Sequence, residues 1–164
     1  MKSSHAVRGS RLALACLLGM FLMPESLAGT TSDPLAGDTI HAAGNALEEV
    51  SLAFARALAS GSGDRMANVL ASTGIRLHLG DQGHVGLSAR QAVATIREFL
   101  REYEEGQAVV TRAAPIEGSP DRGFAEVLWS GRVAGTSQGV RRTLFVGLIR
   151  DAGQWRVDEV RFLR

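Results

Sequence analysis

The carboxyl-terminal stretch of the chain, residues 107–164, constrains its fold more than any other part does. Four segments rich in β-branched and aromatic residues follow one another there, each separated from the next by a short turn signal. The segments are AVVTRAAPIE, FAEVLWSGRVAG, VRRTLFVGLIR and QWRVDEVRFLR, and the turns are GSPDRG, TSQG and DAG. Because strands joined by short turns pair antiparallel, the pattern predicts a four-stranded antiparallel meander.

The alternation of side chains in this meander predicts which residues share a face of the sheet. Ala125, Val127 and Trp129 lie on one face of the second strand, and apolar residues such as Leu128 lie on the other. An antiparallel sheet with apolar groups on both faces is covered on both. The sequence therefore predicts helices on one face and a second copy of the chain on the other.

The last strand breaks its alternation in the middle. Trp155 and Val157 are in phase with each other, whereas Val160 and Phe162 follow the opposite phase. One extra residue between the two pairs would bring all four side chains to the same face. The sequence therefore predicts a β-bulge at Asp158-Glu159, which would also bend the sheet.

Two helical segments precede the meander. Apolar residues recur at spacings of three and four over 42–60, which predicts a first helix. A second, short helix is predicted over 65–71, with Asp64 as its cap.

A strand pair and a long helix come next. The strict alternation of Ile75–Leu79 predicts a strand, and the turn at 80–83 leads to a short return strand over 84–87. Ser88 and Gln91 then form a capping box, which predicts the start of a long amphipathic helix.

The first 28 residues have the layout of a secretory signal peptide. A basic start precedes the apolar run LALACLLGMFLM, and Ser26-Leu27-Ala28 supplies the small residues of a cleavage site. We therefore expect cleavage after Ala28, a flexible leader over 29–41, a folded domain over 42–164, and a bacterial protein that is periplasmic or secreted. The alternative is a retained membrane anchor, but the apolar run is shorter than the roughly 20 residues of a membrane span.

Charge and cysteine content narrow the function classes. The chain has 18 basic and 17 acidic residues, so no overall field attracts nucleic acid or anionic lipid. Cys16 is the only cysteine and lies in the predicted signal peptide. The mature chain therefore has no disulfide, and its stability depends on its core.

The order of these elements resembles the nuclear transport factor 2-like superfamily, which includes ketosteroid isomerase, SnoaL-type cyclases and many exported proteins of unknown function. The resemblance covers about residues 42–164 and rests on ALEEVSLAFARALASGSGDRMANVLA, SARQAVATIREFL and GQWRVDEVRFLR. It implies an α+β, cone-shaped fold in which a curved, mainly antiparallel sheet wraps around a long helix and the amino-terminal helices. None of these segments is a catalytic motif, and the exported branch without catalytic residues is the most similar.

The chain lacks the polar groups with which ketosteroid isomerase-like members move a proton. These members use a pocket carboxylate as base, and a Tyr with a protonated Asp to stabilise the enolate. Here the first helix offers Phe54, which has no hydroxyl, and Tyr103, the only tyrosine, is placed near the end of the long helix. The resemblance therefore implies no inherited proton-transfer machinery, and we expect no cofactor.

One group of polar residues has two interpretations. His78, Asp81 and His84 are spaced H-x2-D-x2-H around the turn of the strand pair, where they could form a general base or a metal site. The second interpretation is a hydrogen-bonded turn with surface histidines, which we favour because the spacing fits no tight metal pattern. We expect no metal, and His78 is the best single polar contact for a pocket.

Five residues are predicted to line the pocket of the cone: Phe54, His78, Phe99, Trp129 and Phe145. The meander aromatics could form a ligand platform or core, and core is favoured. The sequence thus favours an exported, non-catalytic binding or assembly module that takes a small apolar ligand and contacts a second copy, or an envelope protein, through its sheet. The alternative is a small isomerase, lyase or hydrolase that uses His78 or Asp81.

Overall fold

The computed structural model describes the backbone of residues 34–163 and the side chains of residues 45–163. The predicted signal peptide and its cleavage site lie outside the described residues. Nine elements follow one another in the described part of the chain. They are α1 (Pro34–Ser60), α2 (Gly63–Ala67), β1 (Ile75–Leu79), β2 (Gln82–Leu87), α3 (Ala89–Leu100), β3 (Tyr103–Ile116), β4 (Ser119–Val133), β5 (Gly139–Asp151) and β6 (Gln154–Leu163).

The strands form one six-stranded sheet in the order β2-β1-β6-β5-β4-β3. The predicted meander is confirmed, because β3, β4, β5 and β6 pair successively and antiparallel. The predicted strand pair is confirmed as well, but β2 begins at Gln82 and the turn is therefore shorter than predicted; β1 lies beside β6 as its parallel neighbour. The α+β cone fold, with a curved and mainly antiparallel sheet, is therefore the observed architecture.

The helices differ from the prediction at their starts. α1 begins at Pro34, so part of the predicted flexible leader, 34–41, is helical. Proline is well tolerated in the first turn of a helix, where its missing N–H leaves no bond unmade. α2, in contrast, is shorter than predicted. Its N-cap residue is Ser62, and the predicted cap, Asp64, lies in its first turn.

The capping box at the start of α3 is confirmed. The backbone N–H of Gln91 donates to Ser88 Oγ, and the backbone N–H of Ser88 donates to Gln91 Oε1 at 3.0 Å. The helix ends at Leu100, so Tyr103 is the first residue of β3 and does not mark the helix end. The chain therefore turns from helix to strand within two residues.

One face of the sheet, the inner face, packs against the helices. α1 contacts β3, β4 and β6, and α3 contacts β1 and β2. In the middle of β4 and β5 the inner side chains are fully buried, namely Ala125, Val127, Trp129, Leu144, Val146 and Leu148, whereas Phe124, Glu126, Leu128 and Phe145 on the outer face are only partly buried. The predicted alternation at Ala125, Val127 and Trp129 is thus confirmed.

The predicted β-bulge in β6 is confirmed. Gly147 pairs with Glu159, while the next residue, Leu148, pairs with Val157, which leaves Asp158 as the extra residue. The side chains that were out of phase are all buried as a result: Trp155, Val157, Val160 and Phe162.

The bulge places two carboxylates side by side under arginine side chains on the outer face. Asp158 and Glu159 are both buried, and Arg76 reaches them at 2.9 Å and 3.1 Å respectively. Gly147 lies directly beside them, since a Cβ there would be 3.0 Å from Glu159 Cβ. A side chain at Gly147 would therefore displace the carboxylate pair.

The first hairpin of the meander turns earlier than predicted. Ile116 pairs with Ser119, so Glu117 and Gly118 form a two-residue turn. The following residues of GSPDRG belong to β4. Gly118 has a φ of 72°, a conformation that glycine adopts without strain.

No helix in the described part of the chain is both long and apolar enough to span a membrane.

Candidate ligand-binding cleft

A cleft of about 550 Å³ opens on the inner face of the sheet, at the end of α3. We call it the aromatic cleft. It is lined by Gly80, Asp81, Phe99, Tyr103, Arg142, Phe162 and Leu163.

Each wall of the aromatic cleft comes from a different element. Phe99 lies in the last turn of α3, Tyr103 begins β3, and the β1–β2 turn contributes Gly80 and Asp81. Register explains why Arg142 lines the cleft too. It pairs with Trp129, a residue of the inner face, so its side chain starts from that face.

The floor of the cleft is a cluster of aromatic rings. The centroid of Phe99 lies 4.8 Å from that of Phe162 and 5.7 Å from that of Tyr103. The buried Trp129 packs against this cluster, with its ring centroid 5.1 Å from that of Tyr103 and 6.2 Å from that of Phe162. Tilted and edge-to-face rings at these distances attract one another, so the floor is held in place by its own contacts.

Trp129 fits because Gly131, two residues along the strand, has no side chain. A Cβ at Gly131 would lie 2.9 Å from Cη2 of the indole. The indole therefore occupies the space beside Gly131 that a side chain would otherwise fill.

A second cleft of about 380 Å³ adjoins the first and shares Asp81 and Phe99 with it. We call it the acidic cleft, because its lining includes three carboxylates. Its residues are Leu79, Asp81, Gln82, Thr95, Glu98, Phe99 and Glu102. Glu98 is ion-paired with Arg101, the C-cap residue of α3.

Three of the five residues predicted for the pocket lie on its side of the sheet. Phe99 lines the aromatic cleft. Trp129 is 1 % exposed and contacts two of the lining rings, so it supports the floor. Phe54 is completely buried within the core between α1 and the sheet.

The other two residues lie on the outer face of the sheet. His78 alternates with the buried Leu77 and Leu79 of β1. Phe145 pairs with Glu126 and stacks on Phe124, with the ring centroids 6.1 Å apart. Neither side chain is brought together with Phe99, because the pleat separates the two faces.

The three polar residues around the β1–β2 turn do not converge. Leu77 pairs with His84, so the two histidines start from opposite faces of the hairpin. Asp81 lines both clefts. Within residues 45–163, no group of three or more His, Cys, Asp or Glu side chains is arranged to hold a metal ion.

The sequence did not single out three residues of the cleft: Tyr103, Arg142 and Phe162. Arg142 is two residues from Leu144 and therefore shares its face of β5, but only the structure shows that Leu144 is buried on the inner face. Tyr103 and Phe162 line the same cleft only because the start of β3 and the end of β6 reach the same end of α3. No local sequence pattern indicates this.

Comparisons with known proteins identify the architecture. No protein-family model matches the chain, and no curated protein matches its sequence. Solved structures do match it. A candidate scytalone dehydratase from Novosphingobium aromaticivorans superposes with a TM-score of 0.62 at 14 % identity, over 78 % of this chain and 89 % of that one. The chain has the nuclear transport factor 2-like fold.

Two further structures agree with this assignment. A candidate dehydratase of the nuclear transport factor 2-like family from Streptomyces avermitilis gives a TM-score of 0.60 at 10 % identity, over 75 % of this chain and 96 % of that one. A hypothetical protein with a ketosteroid isomerase-like fold from Catenulispora acidiphila, solved with trimethylamine, gives 0.57 at 14 % identity, over 71 % and 85 % of the two chains. At these identities the likeness concerns the fold alone.

The resemblance seen in the sequence is thus confirmed at the level of fold. In this chain with the nuclear transport factor 2-like fold, the cone is filled near α1 by Phe54, Trp129 and their neighbours. Open space remains at the end of α3, where the aromatic cleft lies.

Proposed function

We propose that this chain is an exported, non-catalytic binding module that holds a small apolar molecule in the aromatic cleft. The observation that carries the proposal is the floor of the cleft, where three rings from three elements face one space. Ligand pockets are mostly apolar, with a few polar groups that fix orientation. The aromatic cleft has this composition.

Proton-transfer chemistry is the alternative use of the same space. It needs at least two polar groups with separated pKa values that converge on a substrate. His78 lies on the outer face, so an enzyme that used this cleft would have to rely on Asp81 and the Tyr103 hydroxyl instead. A binding role requires no such pair.

The outer face of the sheet supports the second part of the proposal, which is contact with a second copy of the chain. Phe124 and Phe145 stack there, and Val109 on the neighbouring edge strand is 61 % exposed. Exposed apolar groups on a sheet face are typical of interaction sites.

Native mass spectrometry of the protein purified from the exported fraction of its own host tests these proposals together. We expect a chain that begins at Gly29, a species with twice that mass, and an added small-molecule mass that is lost on collisional activation. A ligand-free monomer would contradict both binding proposals, and a chain that retains residues 1–28 would contradict cleavage.

Two matched variants separate the cleft from the sheet face. Phe99→Ala removes a ring from the cleft, so we expect the added mass to disappear while the dimer remains. Phe124→Ala removes a ring from the outer face, so we expect weaker dimers with the small molecule still bound. Circular dichroism serves as the control for folding in both variants.

A further inference from the structure

Arg142 is the basic residue among those that line the aromatic cleft. It is exposed, and its strand position directs it to the inner face, next to the aromatic floor. Within residues 45–163, none of the ion pairs or cation–π contacts involves Arg142. Its charge is therefore available to a molecule in the cleft.

Other arginines of the sheet are engaged within the chain. Arg76 and Arg161 pair with the buried carboxylates of the bulge, and Arg132 pairs with Glu104 at 2.9 Å. Arg112 and Arg150 lie over aromatic rings at about 5 Å. Arg142 differs from these arginines because it lines the cleft and pairs with no carboxylate or aromatic ring of the described residues.

Asp81 also lines the aromatic cleft, and it is engaged in an interaction within the chain. Glu98 and Glu102 line the adjoining acidic cleft and not the aromatic one. The positive charge that a ligand on the aromatic floor meets is the guanidinium of Arg142.

We infer that the molecule held in the aromatic cleft is an amphiphilic anion. Its apolar body lies on Phe99, Tyr103 and Phe162, and its carboxylate, sulfonate or phosphate end pairs with Arg142. A guanidinium suits such an end because its N–H groups match two anionic oxygens at once. The inference rests on the proposed binding function and adds the chemical class of the ligand.

Two fluorescent probes with one skeleton test the inference. 8-Anilinonaphthalene-1-sulfonate is anionic, and N-phenyl-1-naphthylamine is the same molecule without its sulfonate. We expect Arg142→Gln to weaken binding of the anionic probe by about tenfold at low ionic strength, because a charge-assisted hydrogen bond is lost. Binding of the neutral probe should change by less than about twofold.

Arg141→Gln is the matched control. Arg141 is the preceding residue of the same strand, is also exposed, and starts from the outer face because it pairs with Ser130. We expect this variant to bind both probes as the unchanged protein does. Added salt should weaken binding of the anionic probe to the unchanged protein more than binding to Arg142→Gln, because salt screens the ion pair that only the unchanged protein can form.

The outcomes separate this inference from the proposed function. If neither probe binds the unchanged protein, the cleft does not hold apolar molecules, and both proposals fail. If both probes bind and Arg142→Gln weakens neither, the cleft binds apolar molecules but the anionic ligand class is wrong. An equal loss in Arg141→Gln would also overturn the inference, because the effect would then come from overall charge.

Discussion

Deletion of Asp158 is expected to lower the free energy of unfolding by about 3–6 kcal/mol. The bulge lets Trp155 and Val157 share the inner face with Val160 and Phe162. Without the extra residue, one of these two pairs has to turn to the outer face. Each large apolar side chain that leaves the core costs about 1.5–3 kcal/mol, and two leave together.

Asp158→Asn is the control for this deletion. It keeps the residue count and the bulge and removes the carboxylate that Arg76 contacts at 2.9 Å. Arg76 also reaches Glu159, and its side chain is 41 % exposed, so we expect a loss of about 1 kcal/mol or less. Urea denaturation followed by circular dichroism measures both variants. A deletion no more destabilising than Asp158→Asn would show that the bulge does not hold the two pairs in the core.

Trp129→Ala is expected to destabilise the domain by about 3–5 kcal/mol, as is usual when a large aromatic side chain is removed from a core. The indole is 1 % exposed and supports both Tyr103 and Phe162. The substitution leaves a cavity behind the floor of the aromatic cleft. We therefore also expect the variant to bind N-phenyl-1-naphthylamine more weakly than the unchanged protein does, measured under conditions in which the variant is folded.

Phe145→Ala is the comparison for Trp129→Ala, because it removes an aromatic ring from the opposite face. Phe145 is only partly buried and stacks on Phe124. We therefore expect the free energy of unfolding of the monomeric chain to fall by about 1 kcal/mol. The binding of the neutral probe should not change. Equal losses of stability in the two variants would mean that the outer face is as well covered as the inner one.

Much of the fold could be predicted because its signals are local. The alternation around Trp129 identified the residues of β4 that share a face, the phase change at Asp158 identified the bulge, and Ser88 with Gln91 identified the start of α3. Element ends were predicted less well, since Pro34 at the start of α1 and the turn at Glu117-Gly118 have weak signals.

The candidate site was predicted only in part. Phe99 was predicted to line the pocket, and it lines both clefts. His78 and Phe145 were grouped with it because of their chemistry, whereas the register places both on the outer face. Residue type indicates what a side chain can bind, and only its face determines which space it meets.

The sequence by itself thus determined the elements, the sets of residues that share a face of a strand, and the bulge, because each depends on spacing between near neighbours. The tertiary structure decided that β1 lies parallel to β6 and that the ends of α3, β3 and β6 meet. It also decided that Arg142 faces the aromatic floor at that meeting point. These features depend on contacts between residues far apart in the chain, and no periodicity in the sequence records such contacts.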